Sequence, residues 1–82
     1  MGNPLTSEID ANYDYFMRNL AKFLVDHKGQ YVLLKDRDVV SFFDEPGTAY
    51  RFGRSKFVDG VFSIQEVIEE PIDLGFFSHV AN

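Results

Sequence analysis

The sequence predicts an α+β fold: a three-stranded antiparallel sheet with two helices, in the order helix, strand, strand, helix, strand, plus a C-terminal tail. Three patterns predict it: apolar residues at helical spacing near the N-terminus, two short runs rich in β-branched and aromatic residues, and a later segment that alternates between apolar and polar residues. A chain of 82 residues has room for one core. We therefore expect a single domain over 1–82, with an N-terminal helix region at 6–28, a hairpin-helix-strand core at 29–70 and a tail at 71–82.

The first predicted helix runs from Ser7 to about Asp26. Thr6 and Ser7 offer a capping hydroxyl at its start, and Gly29 beyond its last turn is able to adopt the left-handed conformation that ends many helices. Its apolar residues recur at steps of three, four and seven and so share one face: Ile9, Tyr13, Phe16, Leu20, Phe23 and Leu24.

A β-hairpin is predicted next, with strands from Gln30 to Lys35 and from Asp38 to Phe43. The turn is centred on Asp36 and Arg37, which lack the Asn-Gly pattern of the strongest two-residue turns, so its type stays open. In the first strand, Tyr31 and Leu33 share one face and Val32 and Leu34 share the other. In the second strand, Val40 and Phe42 lie on the face opposite Val39 and Phe43. Both faces of the hairpin are therefore apolar and need to be covered.

The second predicted helix spans about Glu45 to Phe57, with Asp44 as its N-cap. Gly53 in its interior costs about 1 kcal/mol relative to alanine, so we expect it to mark a close approach of the helix to the sheet. The third strand follows from Val61 to about Glu69. Its pattern turns Phe62, Ile64 and Ile68 to one face and Ser63 and Gln65 to the other.

Composition narrows the classes of function. The chain has no cysteine, which excludes disulfides, thiolate zinc sites and thiol nucleophiles and fits a cytoplasmic protein. No signal peptide and no membrane-spanning run is recognisable. The formal net charge of −5 argues against broad nucleic-acid binding, which needs a basic face.

No residue pattern predicts catalysis, a metal site or a cofactor. A histidine-based site would need a carboxylate brought close by the fold, such as Asp26, Asp44 or Glu69, and no spacing around His27 or His79 predicts that. The acidic residues near the hairpin lack the spacing of a calcium loop and are explained as turn and cap residues: Asp36, Asp38, Asp44 and Glu45. We expect a protein that is not an enzyme.

The segment GQYVLLKDRDVVSFFD from Gly29, then Ala49, Gly53, Phe57 and the segment GVFSIQEV, resemble a small bacterial domain family of uncharacterised function. That family has a Gly-x-Tyr-Val strand, a strand ending in Phe-Asp and a helix with spaced Ala, Gly and Phe. Some of its genes lie near genes for retroviral-type aspartic-protease-like proteins, so the resemblance implies an accessory or partner role and supplies no catalytic residue. The chain departs from the family at Pro46-Gly47, where acidic residues are usual, which leaves the start of the second helix open.

The surplus of apolar residues predicts a protein-interaction module, either a homodimer or an adaptor or regulatory partner of a larger bacterial protein. The second face of the hairpin is covered either by the chain's own helix and tail or by another chain, and an open sheet edge is a further binding surface. For the tail we keep four alternatives: it packs onto its own domain, caps an edge, swaps into a neighbour or binds a partner. The candidate interaction residues are Tyr31, Leu33, Phe42, Ile72, Leu74, Phe76 and Phe77.

The alternative is a regulatory domain that binds a small ligand or a nucleotide. Arg51, Arg54 and Lys56 lie close together in or near the second helix, and clustered cations of this kind bind phosphates or acidic partners. The competing interpretation is a solvated helix face in an acidic protein.

Overall fold

The computed structural model describes residues 4–69, which form three helices and one three-stranded antiparallel sheet. This confirms the α+β class and the predicted order, except that the first helix is divided in two. The tail at 71–82 lies outside the described residues. The elements are α1 (Pro4–Arg18), α2 (Leu20–His27), β1 (Tyr31–Leu34), β2 (Val39–Phe43), α3 (Pro46–Lys56) and β3 (Ser63–Glu66).

The N-terminal helix is interrupted at Asn19, which the apolar spacing did not predict. The Asn19 side-chain Nδ2 donates a hydrogen bond of 2.8 Å to the carbonyl of Tyr15. An asparagine that bonds the carbonyl four residues earlier competes with the helical backbone ladder, and such competition bends helices. The helix also starts earlier than the predicted cap at Ser7, since its first residue is Pro4. Proline is tolerated in the first turn of a helix because the backbone N–H that it lacks would have no helical partner there.

Both faces of the sheet are covered by helices of the same chain. β1 lies in the centre, with β2 on one side and β3 on the other, in the order β2-β1-β3. On one face α1 and α2 pack through a cluster of buried residues: Phe16, Phe23, Val32, Leu34 and Val67. On the other face α3 packs through a second cluster: Leu33, Ala49, Phe62 and Ile64. The cover that the hairpin pattern required is therefore internal.

The hairpin closes with a two-residue turn at Asp36 and Arg37. The backbones of Lys35 and Asp38 exchange two hydrogen bonds of 3.0 and 3.1 Å. Both turn residues have positive φ, 54° at Asp36 and 61° at Arg37, which matches the type I′ turn that suits the twist of hairpin strands. The left-handed conformation costs a residue other than glycine roughly 1–2 kcal/mol, so this turn needs support from elsewhere in the fold.

Helix α1 supplies that support. The N–H of Asp36 donates to Glu8 Oε2 at 2.9 Å, and the N–H of Arg37 donates to Asn12 Oδ1 at 2.7 Å. Asn12 is completely buried, and its Nδ2 donates to Ser63 Oγ at 3.1 Å. One buried amide therefore connects α1, the hairpin turn and β3.

Lys35 ties the same end of the sheet to the loop before β3. Its Nζ lies 2.8 Å from Asp59 Oδ2 and donates to the carbonyl of Val61 at 2.6 Å. The hydrogen bond from Lys35 holds the pKa of Asp59 below its ordinary value. A carboxyl with a lowered pKa in the folded state adds stability that is present above its unfolded pKa and is lost as the pH falls through the folded one.

Gly53 marks the close approach predicted for it. A Cβ at this position would lie 2.7 Å from the Phe62 ring, which packs beneath α3. β3 is shorter than predicted and ends at Glu66, because the N–H of Ile68 turns back to the carbonyl of Glu66. Its Ser63 and Gln65 are also buried, since α1 and α2 cover the face that the sequence pattern left without a partner.

We expect Gly53→Ala to destabilise the fold. The added methyl group collides with the Phe62 ring, and overpacking of this kind costs about 1–3 kcal/mol, which exceeds the gain of roughly 1 kcal/mol in helix propensity. Urea unfolding of the variant measures the free energy directly. Gly47→Ala on the same helix is the control, because its Cβ meets only Arg51 at 3.6 Å, and an equal loss in both variants would contradict the assignment.

Replacing Asn12 by alanine should cost about 1–3 kcal/mol of unfolding free energy, because the N–H of Arg37 and the hydroxyl of Ser63 lose a buried partner. Asp10→Ala on the exposed side of α1 provides the matched control and should leave stability nearly unchanged. Chemical denaturation of both variants measures the difference. Hydrogen exchange should also speed up at Arg37, and unchanged protection there would argue against the role of Asn12.

Candidate interaction surface

β2 is the accessible edge of the sheet. Both β2 and β3 are edge strands, yet Ser63, Ile64 and Gln65 of β3 are at most 1% exposed, whereas all five residues of β2 are half-buried. Alternate residues of an edge strand direct their N–H and C=O groups away from the neighbouring strand. Among the described residues, therefore, no strand occupies the outer side of β2.

A β-bulge limits where a regular ladder can form. Leu33 pairs with Ser41 and Leu34 pairs with Val39, so that Val40 is an extra residue in β2. Bulges twist an edge and discourage uncontrolled pairing with other chains. The regular part of the edge is the end of β2 from Ser41 to Phe43.

A shallow groove opens at this end of β2, where the chain passes into α3. Glu45 occupies the N-cap position of α3 in place of Asp44, and its side chain makes no capping hydrogen bond. Asp44 and Glu45 are both exposed. The groove has a volume of about 440 Å³ and is lined by Gln30, Phe42, Phe43, Asp44, Glu45 and Thr48.

Two of the residues that line the groove are aromatic. The ring of Phe42 stacks on the imidazole of His27 with a centroid distance of 3.5 Å and an angle of 4°. The ring of Phe23 also contacts Phe42, with a centroid distance of 5.5 Å and a T-shaped arrangement. On the opposite face of the sheet Phe43 contacts Phe52, which is 41% exposed. Phe42 and Phe43 therefore line the groove from opposite faces of the sheet.

A chain of hydrogen bonds runs from His27 through Gln30 to Asp44. Gln30 Nε2 donates to Asp44 Oδ1 at 3.0 Å, and Gln30 Oε1 lies 2.8 Å from His27 Nδ1. A carboxylate only accepts, so Asp44 fixes the orientation of the Gln30 amide, and His27 Nδ1 must then carry a proton. The structure thus joins His27 to one of the carboxylates considered for it, through a residue that the sequence had not singled out.

Tyr31 lies beside the groove on the α3 face of the sheet. It is paired with Phe43 on one side and Glu66 on the other. Partial burial, together with the charge of the Glu66 carboxylate, raises the pKa of the Tyr31 phenol above its ordinary value. The phenol therefore stays neutral at physiological pH and acts as a hydrogen-bond donor.

The predicted interaction residues separate into three groups. Tyr31 and Phe42 are half-buried beside or in the groove, where a partner can reach them. Leu33 is completely buried in the cluster beneath α3, which places it in the core and not on an accessible surface. The tail residues lie outside the described residues and stay predictions: Ile72, Leu74, Phe76 and Phe77.

The cations of α3 do not converge. Arg51, Arg54 and Lys56 are all exposed, and each contacts a different neighbour. Arg51 Nη2 lies 3.5 Å from Thr48 Oγ1, Arg54 Nη1 donates to the Tyr50 hydroxyl at 3.0 Å, and Lys56 Nζ lies 6.0 Å from the ring centroid of Phe57. This arrangement is typical of a solvated helix face.

Within residues 4–69 no three histidine, aspartate or glutamate side chains are grouped as metal ligands. None of the helices described is both long enough and apolar enough to span a membrane. Comparisons with protein-family models, with curated proteins and with solved structures found no match to this chain. The resemblance to a small bacterial family accordingly stays a prediction.

We expect the neutral His27 ring to be protonated at Nδ1. Gln30 is the acceptor that selects this tautomer, so Gln30→Leu should raise the fraction protonated at Nε2. Nitrogen-15 NMR of the imidazole distinguishes the two forms. Lys28→Met, an exposed neighbour that does not touch the ring nitrogens, is the control, and an Nε2 tautomer in the unmodified chain would contradict the hydrogen-bond chain.

Proposed function

We propose that this chain is a non-enzymatic protein-interaction module that binds an extended segment of another protein along β2 and in the groove at its end. The observation that carries the proposal is the difference between the two edges: three of the four residues of β3 are buried, while all of β2 is half-buried and lies beside a groove lined in part by Phe42 and Phe43. Strand addition at such an edge supplies affinity through main-chain hydrogen bonds and specificity through side-chain pockets.

The internal cover of the sheet favours the edge over the face as the binding surface. Helices occupy both faces of β1, and a partner would have to displace one of them to reach residues such as Leu33. Binding at the edge requires no such rearrangement. The module then acts as an adaptor or regulatory partner of a larger protein, and its cysteine-free composition supports a cytoplasmic setting.

Site-specific crosslinking tests this function. We expect a benzophenone amino acid in place of Thr48, which lines the groove, to capture one defined protein in cells. The same probe in place of Ser55, exposed on the same helix but outside the groove lining, is the matched control. A peptide mapped by mass spectrometry to an extended segment of the captured protein is the expected product.

Equal adducts at both positions, or none at Thr48, would contradict the proposal. An adduct between two copies of this chain at Thr48 would identify the partner as a second copy, and light scattering would then show a dimer. A rise in Tm with a nucleotide or phosphate metabolite that disappears in Arg54→Gln would support the ligand-binding alternative instead.

A further inference from the structure

We propose that the groove at the end of β2 receives a lysine or arginine side chain from an extended partner segment. This inference rests on the proposed interaction function and names the chemistry of its partner. The aliphatic stem of such a side chain packs against the ring of Phe43, and its cationic head reaches the carboxylates of Asp44 and Glu45, which also line the groove. Aromatic rings beside carboxylates are the surroundings in which long cationic side chains bind well.

The carboxylates at this site are available to a ligand. Glu45 is exposed and makes no capping hydrogen bond with α3. Asp44 is exposed and accepts one bond from Gln30, which leaves further acceptor capacity on its two oxygens. Gln30 also orients Asp44, because it is itself held by His27. The acceptor that a cation would meet is therefore positioned in advance.

Carboxylates gather at the groove end of the sheet. Asp44 and Glu45 follow β2, and Glu66 lies across Tyr31 from Phe43. Lys28 is paired with Glu69 at 3.0 Å, and Arg51 Nη2 lies 3.5 Å from Thr48 Oγ1 at the rim of the groove. The two carboxylates that line the groove, Asp44 and Glu45, complement a cationic ligand.

The same charges argue against the two occupants that this chain offers. A second copy paired antiparallel through β2 would bring the Asp38 end of its strand beside Asp44 and Glu45, where like charges repel. The chain's own segment from 70 to 82 contains Glu70 and Asp73 and has neither lysine nor arginine. A different protein with a basic residue in an extended segment is the occupant that complements the site.

Binding of short peptides to the full chain tests the inference. The probe is a blocked pentapeptide, Thr-Val-Lys-Val-Thr, and the matched peptides carry norleucine or glutamate in place of the lysine. We expect the lysine peptide to shift amide NMR signals from Ser41 to Thr48. The norleucine peptide, which keeps the stem and loses the charge, should bind about fivefold more weakly, and the glutamate peptide more weakly still.

Variants of the protein complete the test. Glu45→Gln and Asp44→Asn should each weaken the lysine peptide about two- to fivefold while leaving the norleucine peptide unchanged. Asp26→Asn, which removes an exposed carboxylate from α2, should have no effect. Arg51→Gln should not weaken the lysine peptide, because it removes a cation at the rim.

Three outcomes would overturn the inference: equal binding of the lysine and norleucine peptides, preference for the glutamate peptide, or no shift between Ser41 and Thr48 with any peptide. The first two would leave the proposed interaction at β2 intact. Crosslinking at Thr48 decides that function independently, since it reports whether a protein occupies the groove whatever its charge. Capture of an acidic segment or of a second copy would sustain the function and refute the cationic partner.

Discussion

The architecture depends on one buried amide. The side chain of Asn12 in α1 accepts a hydrogen bond from the N–H of Arg37 and donates one to the hydroxyl of Ser63. It therefore links the first helix to the hairpin turn and to the third strand. The turn holds two residues other than glycine in the left-handed region, and their cost is offset only where the exposed N–H groups find fixed acceptors. Because these acceptors belong to α1, the hairpin and the packing of the helix on the sheet support each other.

Because the chain's own helices cover both faces of the sheet, its edges are the surfaces to consider for binding a partner. With α1 and α2 on one face and α3 on the other, the apolar surplus of the hairpin becomes core. What stays accessible is β2, with a bulge that restricts regular pairing to its final residues. The groove lies at the end of that regular pairing, because Phe42 and Phe43 belong to both.

The candidate site could be predicted only in part. Tyr31 and Phe42 were chosen from the sequence because they are aromatic residues on strands, and they do lie beside or in the groove. Leu33 was chosen on the same grounds and is core, since alternation along a strand does not reveal which face a helix will cover. The link from His27 through Gln30 to Asp44 joins three separate segments, and no spacing rule encodes it.

The sequence by itself determined the order of elements, the α+β class and the tight contact at Gly53, because these follow from local periodicity, turn residues and the absence of a side chain. Tertiary structure decided the break at Asn19, the turn type and the internal cover of both faces. It also decided which edge stays open. The break at Asn19 follows from a local side-chain hydrogen bond that the apolar spacing does not reveal, whereas the turn and the cover of the faces depend on contacts between residues far apart in the chain, which leave no periodic signal in the sequence.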